Sequence, residues 1–186
     1  MKKKIIITGG LGYIGTELCK LYSGVSWHHQ IIVIDNRFIS ERVNQIRNWN
    51  MEFIHGDILD KELIKKYCSE ADVVHHLAGV TNVPRTKSEA SIDQDKKIRE
   101  VGEKGTQNIL NVISNKCKII FPSTHVVYEG IDDVKTNIKE NEATKPVLSY
   151  SSSKAVNEDQ LKNSGKNYVI LRLGSVYGYS TDSMRI

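Results

Sequence analysis

Residues 2–15 read KKKIIITGGLGYIG, an apolar run that breaks into glycines and then resumes at helical spacing. Ile5, Ile6 and Ile7 predict a short β-branched strand buried on both faces, as the strands of a parallel sheet are. Residues 8–15 predict a turn in which Gly9, Gly12 and Gly15 recur at every third position. Beyond it Leu11, Ile14, Leu18 and Leu21 follow the spacing of one helix face, which Gly24 closes. A glycine turn set between strand and helix is the context in which dinucleotides bind. Gly9 would allow the tight turn, Gly12 the approach of a pyrophosphate to the backbone, and Gly15 the close packing of helix on strand. The helix start, at Tyr13 and Ile14, would offer free N–H groups and a positive dipole end to the phosphates. An ordinary glycine-rich connection is the alternative.

A second signal separates the two. Residues 31–35, IIVID, predict another buried strand, ending in Asp35 some 20 positions after Gly15. A carboxylate there accepts hydrogen bonds from the adenosine ribose hydroxyls and repels a 2′-phosphate, which selects NAD over NADP. Arg37, two residues on, is placed to stack near the adenine or to tolerate a phosphate, and it tempers that selection.

The length of 186 residues predicts one domain, 1–186. With 39% hydrophobic and 26% charged residues the composition is that of a soluble globular chain with a real core. The net charge of +4 owes much to Lys2, Lys3 and Lys4. No basic stripe is interleaved with aromatics, which argues against nucleic acid. No apolar run approaches the roughly 18 residues needed to span a membrane. Cys19, Cys68 and Cys117 lack metal-ligand spacing and read as reduced, buried thiols of a cytoplasmic protein. His28-His29 and His75-His76 are adjacent pairs, which point to opposite faces of a strand, so no metal site is expected. His76 is expected to line the cofactor cleft.

Strands and helices alternate along the chain. Helices are expected over 40–49, from a cap at Asp60 to 68, over 88–114 with Gly102 and Gly105 weakening its middle, and over 149–162. Strands are expected at 52–54, 71–77, 118–121 with Pro122 as the stop, and 168–172. This order predicts an α/β, Rossmann-like, doubly wound parallel sheet with right-handed crossovers. The charged loop 129–147 is long enough to cover a site.

Tyr150 and Lys154 stand four apart on one expected helix face. A cation beside a phenol favours the phenolate and lowers its pKa from about 10, so Tyr150 could act as a general base. The bland alternative is a solvated surface helix. Ser123-Thr124-His125 end the fifth expected strand, on the edge of the sheet where ligands bind in this class of fold.

Taken in order, these stretches resemble the extended short-chain dehydrogenase/reductase family, in particular its NAD-dependent nucleotide-sugar epimerases and dehydratases. TGGLGYIG (8–15) resembles the family's cofactor turn and Asp35 its ribose-binding acid. Gly56-Asp57-Ile58 resembles its adenine-contacting step, and His76-Leu77-Ala78-Gly79 the segment lining the cofactor. PSTHVVY (122–128) resembles its S-[ST]-x-x-V-Y stretch, YSSSK (150–154) its YxxxK, and RLGSVYG (172–178) its R-x-x-x-V-Y-G segment. The resemblance implies cofactor contacts from Gly9, Gly12, Tyr13, Ile14, Gly15, Asp35 and Asn36. It adds Asp57, Ile58, Leu77, Ala78, Gly79, Tyr150 and Lys154. It also implies that Tyr150 takes a proton from a sugar hydroxyl as hydride passes to NAD. Lys154 would lower the tyrosine pKa and hold the nicotinamide ribose, and Thr124, rather than Ser123, would hydrogen-bond the reacting oxygen.

Departures narrow the reading. The family's dehydratases carry Asp-Glu after the catalytic Thr, where this chain has His125 and Val126, and valine transfers no proton. Gly102 stands where the family usually has Asn, and Glu129 where a glycine normally follows Val-Tyr. Family members continue for well over a hundred residues of substrate-binding lobe, so the lobe is expected to be largely missing from a chain ending at Ile186. Such a chain would bind NAD without properly holding a nucleotide sugar. The expected activity is that of an NAD-dependent nucleotide-sugar epimerase. The alternatives are a reductase or dehydrogenase of the same substrates and a non-catalytic NAD-binding module. Oligomeric state is open, and the resemblance implies that a homodimer would pair through 88–114 and 149–162.

Overall fold

The computed structural model describes residues 2–80, 86–132 and 136–178. Six strands, β1 (Lys4–Thr8), β2 (Gln30–Asp35), β3 (Glu52–His55), β4 (Val73–His76), β5 (Lys118–Thr124) and β6 (Asn167–Leu173), form one sheet in the order β3-β2-β1-β4-β5-β6. All pairings are parallel. The chain moves outward from β1 to β3, then crosses back to β4 on the other side of β1. Thr8 stands in register with both Ile34 and His76, so β1, β2 and β4 release their next residues at one edge. That reversal opens a crevice at the carboxyl ends of the strands.

Alternate strand residues feed two cores. Ile6, Ile32, Ile34, Val74, Ile119 and Phe121 pack with α3 (Lys61–Cys68), α5 (Gly105–Val112) and α6 (Ser149–Asn163). Ile5, Ile7, Ile31 and Val33 pack on the other face with α1 (Tyr13–Ser23) and α2 (Ser40–Asn48). The expected cap at Asp60 is present, its side chain accepting the Leu63 N–H at 3.0 Å. The three cysteines are free and buried. Among the described residues no helix is long and apolar enough to cross a membrane. No group of three or more His, Cys, Asp or Glu among them could hold a metal ion.

Three expectations are corrected. The buried face of α1 is Gly15, Thr16 and Cys19, whereas Leu21 is 79% exposed and Ile14 is also exposed. Gly15 is seated on the turn below it, and with that rotation Ile14 and Leu21 turn outward while Leu18 and Tyr22 still pack against the core. Pro122 does not stop β5. The β4 pairing ends at Ile120, so Pro122 needs no N–H partner on that side while β6 continues to Thr124.

The stretch 88–114 is not one helix. It comprises α4 (Ile92–Arg99), a π-helical turn (Glu100–Lys104) and α5. Asn157 donates to the Gly102 carbonyl and Gln160 to the Glu103 carbonyl, each at 3.1 Å, which draws backbone oxygens out of the regular ladder.

Candidate active site

The glycine turn is built from backbone contacts that a side chain would break. Gly9 has φ +70, and a Cβ there would stand 2.6 Å from the Ala78 nitrogen. A Cβ on Gly15 would meet the Gly9 carbonyl and stand 2.6 Å from the Gly10 Cα. The turn closes with the Gly9 N–H donating to Ile34 O (2.8 Å) and the Gly12 N–H to Gly9 O (3.1 Å). Gly12 then starts α1 with no side-chain cap and no acid in the first turn. The helix start, with Tyr13 and Ile14 in its first turn, thus keeps its positive end available to an anion.

Beside it the ends of β2 and β3 gather Asp35, Asn36 and Asp57. Asp35 is 5% exposed, with Oδ2 accepting the Leu11 N–H at 2.9 Å and Oδ1 the Arg37 N–H at 3.0 Å. Asn36 donates to Asp57 Oδ2 at 2.9 Å. Ile58 is buried, and its carbonyl accepts from Asn108 at 3.0 Å.

His76 does not line the crevice. It is 1% exposed, bridging the hydroxyls of Thr8 (2.9 Å) and Thr106 (3.0 Å), and Thr8 also accepts the Ala78 N–H at 3.3 Å. Burial, with the Lys154 charge in support, pushes its pKa down to about 3. It is a neutral internal pin that fixes the start of the Leu77-Ala78-Gly79 segment. The neighbouring His75 turns to the other face and meets the Tyr22 hydroxyl at 2.8 Å.

Leu77, Ala78 and Gly79 line a cavity with Phe121, Tyr150 and Lys154. The Lys154 ammonium donates to the Pro122 carbonyl at 2.8 Å and sits 4.4 Å from the Phe121 ring centroid. It lies 5.9 Å from the Tyr150 ring centroid. Burial pushes Lys154 down to about 8, against the opposing pull of Glu158. Burial raises Tyr150. The expected lowering of the phenol is therefore absent in this arrangement: burial raises it, and the Lys154 ammonium is hydrogen-bonded to β5.

Thr124 is partly buried at the end of β5, its hydroxyl accepting the Val126 N–H at 3.3 Å. Ser123 is committed elsewhere, donating to Glu158 at 2.6 Å. Gly102 also borders the cavity, and a Cβ there would lie 2.5 Å from the Ser153 hydroxyl. Ser153 thus occupies the room that a side chain at 102 would need.

Sequence reasoning missed Glu158 and the part played by Glu129. Glu158 stands four residues beyond Lys154 on the face that already carried Tyr150, a spacing that could have found it. Burial works against its charge, yet hydrogen bonds from Arg172 and Ser123 hold its carboxyl below the usual range. Glu129 turned out to bind the start of α6: its Oε1 accepts the Val147 N–H (2.8 Å) and the Leu148 N–H (2.7 Å), as well as the Ser151 hydroxyl.

Comparison with known proteins gives a consistent result. A sequence model of the NAD dependent epimerase/dehydratase family matches residues 5–186. A dTDP-D-glucose 4,6-dehydratase of Dictyostelium discoideum is 31% identical over 95% of this chain and 44% of its own length. A putative UDP-glucose 4-epimerase of Methanocaldococcus jannaschii is 31% identical over 96% of this chain and 57% of its own. The crystal structure of UDP-glucuronic acid 4-epimerase from Bacillus cereus in complex with NAD superposes with a TM-score of 0.76 at 26% identity, over 96% of this chain and 57% of that one. The chain thus spans about half the length of the curated relatives it matches. By its sequence over nearly every residue, and by the sheet order that carries the glycine turn, the chain belongs to the NAD dependent epimerase/dehydratase family.

Proposed function

We propose that this chain binds NAD and serves a nucleotide-sugar epimerase, with Tyr150 as its acid–base group. One observation carries the reading: the glycine turn, Asp35 and the Tyr150–Lys154 cavity all open at the carboxyl edge of one parallel sheet. The residues fit the dinucleotide. Gly9 and Gly15 leave backbone room, and the uncapped start of α1 at Gly12, Tyr13 and Ile14 suits a pyrophosphate. Asp35 and Asn36 would face the ribose, Asp57 and Ile58 the adenine, and Leu77, Ala78 and Gly79 the nicotinamide half.

NAD, when bound, supplies uptake and return of a hydride. Tyr150 takes the hydroxyl proton from the sugar carbon being oxidised and gives it back when the opposite alcohol forms. For that the Lys154 ammonium leaves the Pro122 carbonyl and turns to the phenol and ribose, lowering the phenol pKa. The Thr124 hydroxyl orients the reacting oxygen.

Dehydration, decarboxylation and epimerisation are all named among the relatives. Dehydration calls for proton-transferring side chains after Thr124. Here Val126 has none, and His125 Nδ1 lies 3.2 Å from the Leu173 carbonyl. That favours epimerisation. We assign self-association, where it occurs, to the adjoining faces of α5 and α6 around Gln107, Val156 and Gln160. The three buried free thiols suit a cytoplasmic setting.

The test is Tyr150→Phe. The variant should bind NAD as the wild type does, while the wild type alone interconverts nucleotide-sugar epimers. A wild type that binds NAD but turns over no nucleotide sugar would fit a non-catalytic module and equally a chain that spans about half the length of its relatives. Full turnover by Tyr150→Phe would remove the tyrosine from the mechanism.

A further inference from the structure

The end of the sheet opposite the candidate active site carries charge and apolar surface that the mechanism does not use. The strands start in line there: Lys4 stands in register with Gln30, Ile5 with Val73, Val73 with Lys118, and Lys118 with Asn167. From β2 to β6 this amino edge is about 20 Å wide, at about 4.8 Å per strand. The fold brings to it lysines that are far apart in the sequence. Lys2 and Lys3 precede β1 and Lys116 and Lys118 lead into β5, all of them exposed. The Lys3 N–H donates to His29 Nδ1 at 3.3 Å and its carbonyl accepts the Gln30 N–H at 2.8 Å, which fastens the start of β1 to that of β2. The acids along the edge are Glu52, Glu70 and Asp72, and the Asp72 carboxylate accepts the Lys4 N–H at 2.7 Å.

Helix α1 runs back against the strands and ends at the same edge. Its last turn carries Lys20 and Leu21, and the connection into β2 carries Val25 and Trp27. Leu21 is 79% exposed, Trp27 74% and Val25 41%. The connection is anchored. Ser26, between Val25 and Trp27, is fully buried, with its hydroxyl donating to Ser23 O at 3.0 Å, and the His28 N–H donates to Val25 O at 3.0 Å. The apolar side chains on either side of Ser26 are thus held in water by a fixed backbone, beside exposed lysines.

We infer that the amino edge docks on an anionic lipid bilayer, with Leu21, Val25 and Trp27 entering the headgroup region and the flanking lysines meeting the lipid charge. An indole suits that boundary, since its ring is apolar and its N–H finds a partner among the headgroups. Each lysine held near an anionic surface strengthens binding about fivefold. The protein lies on the membrane and does not cross it. A second copy of this chain fits less well, because pairing edge on edge opposes lysine to lysine. A nucleic acid would use the charge and leave the aliphatic side chains in water. Docked this way, the carboxyl edge with the Tyr150–Lys154 cavity faces the solvent.

Sedimentation of the chain with vesicles decides the matter, using phosphatidylcholine alone and an equal mixture of phosphatidylcholine and phosphatidylserine. The wild type is expected to bind the mixed vesicles at least about tenfold more tightly than the neutral ones, and to lose that advantage as salt is raised. Trp27→Ser should weaken binding to the mixed vesicles by about tenfold, as part of an indole's apolar area returns to water. Lys2→Gln with Lys3→Gln should weaken it by roughly 25-fold. All three side chains are exposed, so the melting temperature of each variant should stay that of the wild type. Trp27 fluorescence, read in a Trp49→Phe chain, should move to shorter wavelength with the mixed vesicles only. Equal binding to both vesicle types, binding to neither, or mixed-vesicle binding that Trp27→Ser leaves unchanged overturns the inference. So does self-association without lipid that Trp27→Ser abolishes, or a preference for duplex DNA over the mixed vesicles, since either assigns the edge to another partner.

Discussion

Glu158 and Arg172 form a two-pronged ion pair that ties α6 to β6, Nε to Oε1 at 2.9 Å and Nη2 to Oε2 at 2.6 Å. The Glu158 side chain is 1% exposed and that of Arg172 14%. Arg172 also reaches the Tyr128 hydroxyl and the Glu140 carbonyl, so the pair fastens the segment after Thr124 to the helix that carries Tyr150. Removing one partner of a buried pair leaves an uncompensated charge, at a cost of about 3–5 kcal/mol. Glu158→Ala is expected to lower the melting temperature by roughly 6–20 °C for a chain of this size. The sign with pH follows from its lowered pKa. The carboxylate contributes stability above the ordinary carboxylate range, and that stability is lost as pH falls through the folded value. A melting temperature unchanged in Glu158→Ala across pH 4–7 would show the pair to be energetically idle.

Lys154 runs the other way. Its ammonium titrates at about 8 in the fold against 10.5 ordinarily, so the unfolded chain binds more protons between those values. Stability attributable to Lys154 therefore rises with pH across that window, and below it the buried cation is a cost. Tyr150 and the buried cysteines titrate in the alkaline range too, but they do so in both chains of a comparison. The stability difference between wild type and Lys154→Met should thus change across pH 8–10.5, with the variant at least as stable at pH 7. A flat difference would place the ammonium in water. Turnover should be lost in the variant at every pH.

Glu129 caps a helix to which it does not belong. The N-cap residue of α6 is Leu148, whose side chain has no acceptor, and Glu129 ties down the start of the helix from outside by accepting the Val147 and Leu148 N–H groups and the Ser151 hydroxyl. Burial works against its charge, but the hydrogen bonds from Ser151, Leu148 and Val147 hold its pKa low. Losing a cap costs about 1–2 kcal/mol. Glu129→Ala is expected to fray the first turn of α6, where Tyr150 sits, and amide hydrogen exchange over 149–152 should quicken while α3 is unaffected. Unchanged exchange there would show that the helix starts without help.

What could be read in advance was local. The isoleucine run, the glycine spacing and the carboxylate that ends β2 are each legible as patterns of a few neighbouring residues, and Asp60 caps a helix three residues ahead. What could not be read depends on distant partners. Ser123 reaches Glu158 across 35 residues, His76 reaches Thr8 across 68, and Asn157 reaches Gly102 across 55. The rotation of α1 was misread for a related reason. Spacing alone favoured the large apolar side chains as the inner face, whereas the contact of Gly15 with Gly9 and Gly10 decides it. The roles of Tyr150 and Lys154 were suggested by spacing, but the burial that raises the phenol is a product of tertiary packing.

That helix rotation can be tested directly with two alanines. At Gly15 a methyl group would run into the Gly9 carbonyl and the Gly10 Cα, both backbone atoms of the turn with no flexible end to yield. At Gly24, which closes the same helix with φ −66, nothing lies within 4 Å of an added Cβ. Helix propensity favours alanine over glycine by about 1 kcal/mol inside a helix, and Gly24→Ala is expected to be neutral or stabilising by about 0.4–1 kcal/mol through the unfolded chain. At Gly15 the gain is overrun by overpacking, which costs typically ~1–3 kcal/mol in a tight core. The start of α1 must then lift from the turn, carrying away the N–H groups proposed to meet the pyrophosphate. Gly15→Ala should therefore lose both stability in thermal unfolding and NAD affinity in calorimetry, while Gly24→Ala keeps both. A Gly15→Ala chain that melts and binds like Gly24→Ala would mean that α1 is not seated on the turn by close packing, and that the inner face of the helix is set by something else.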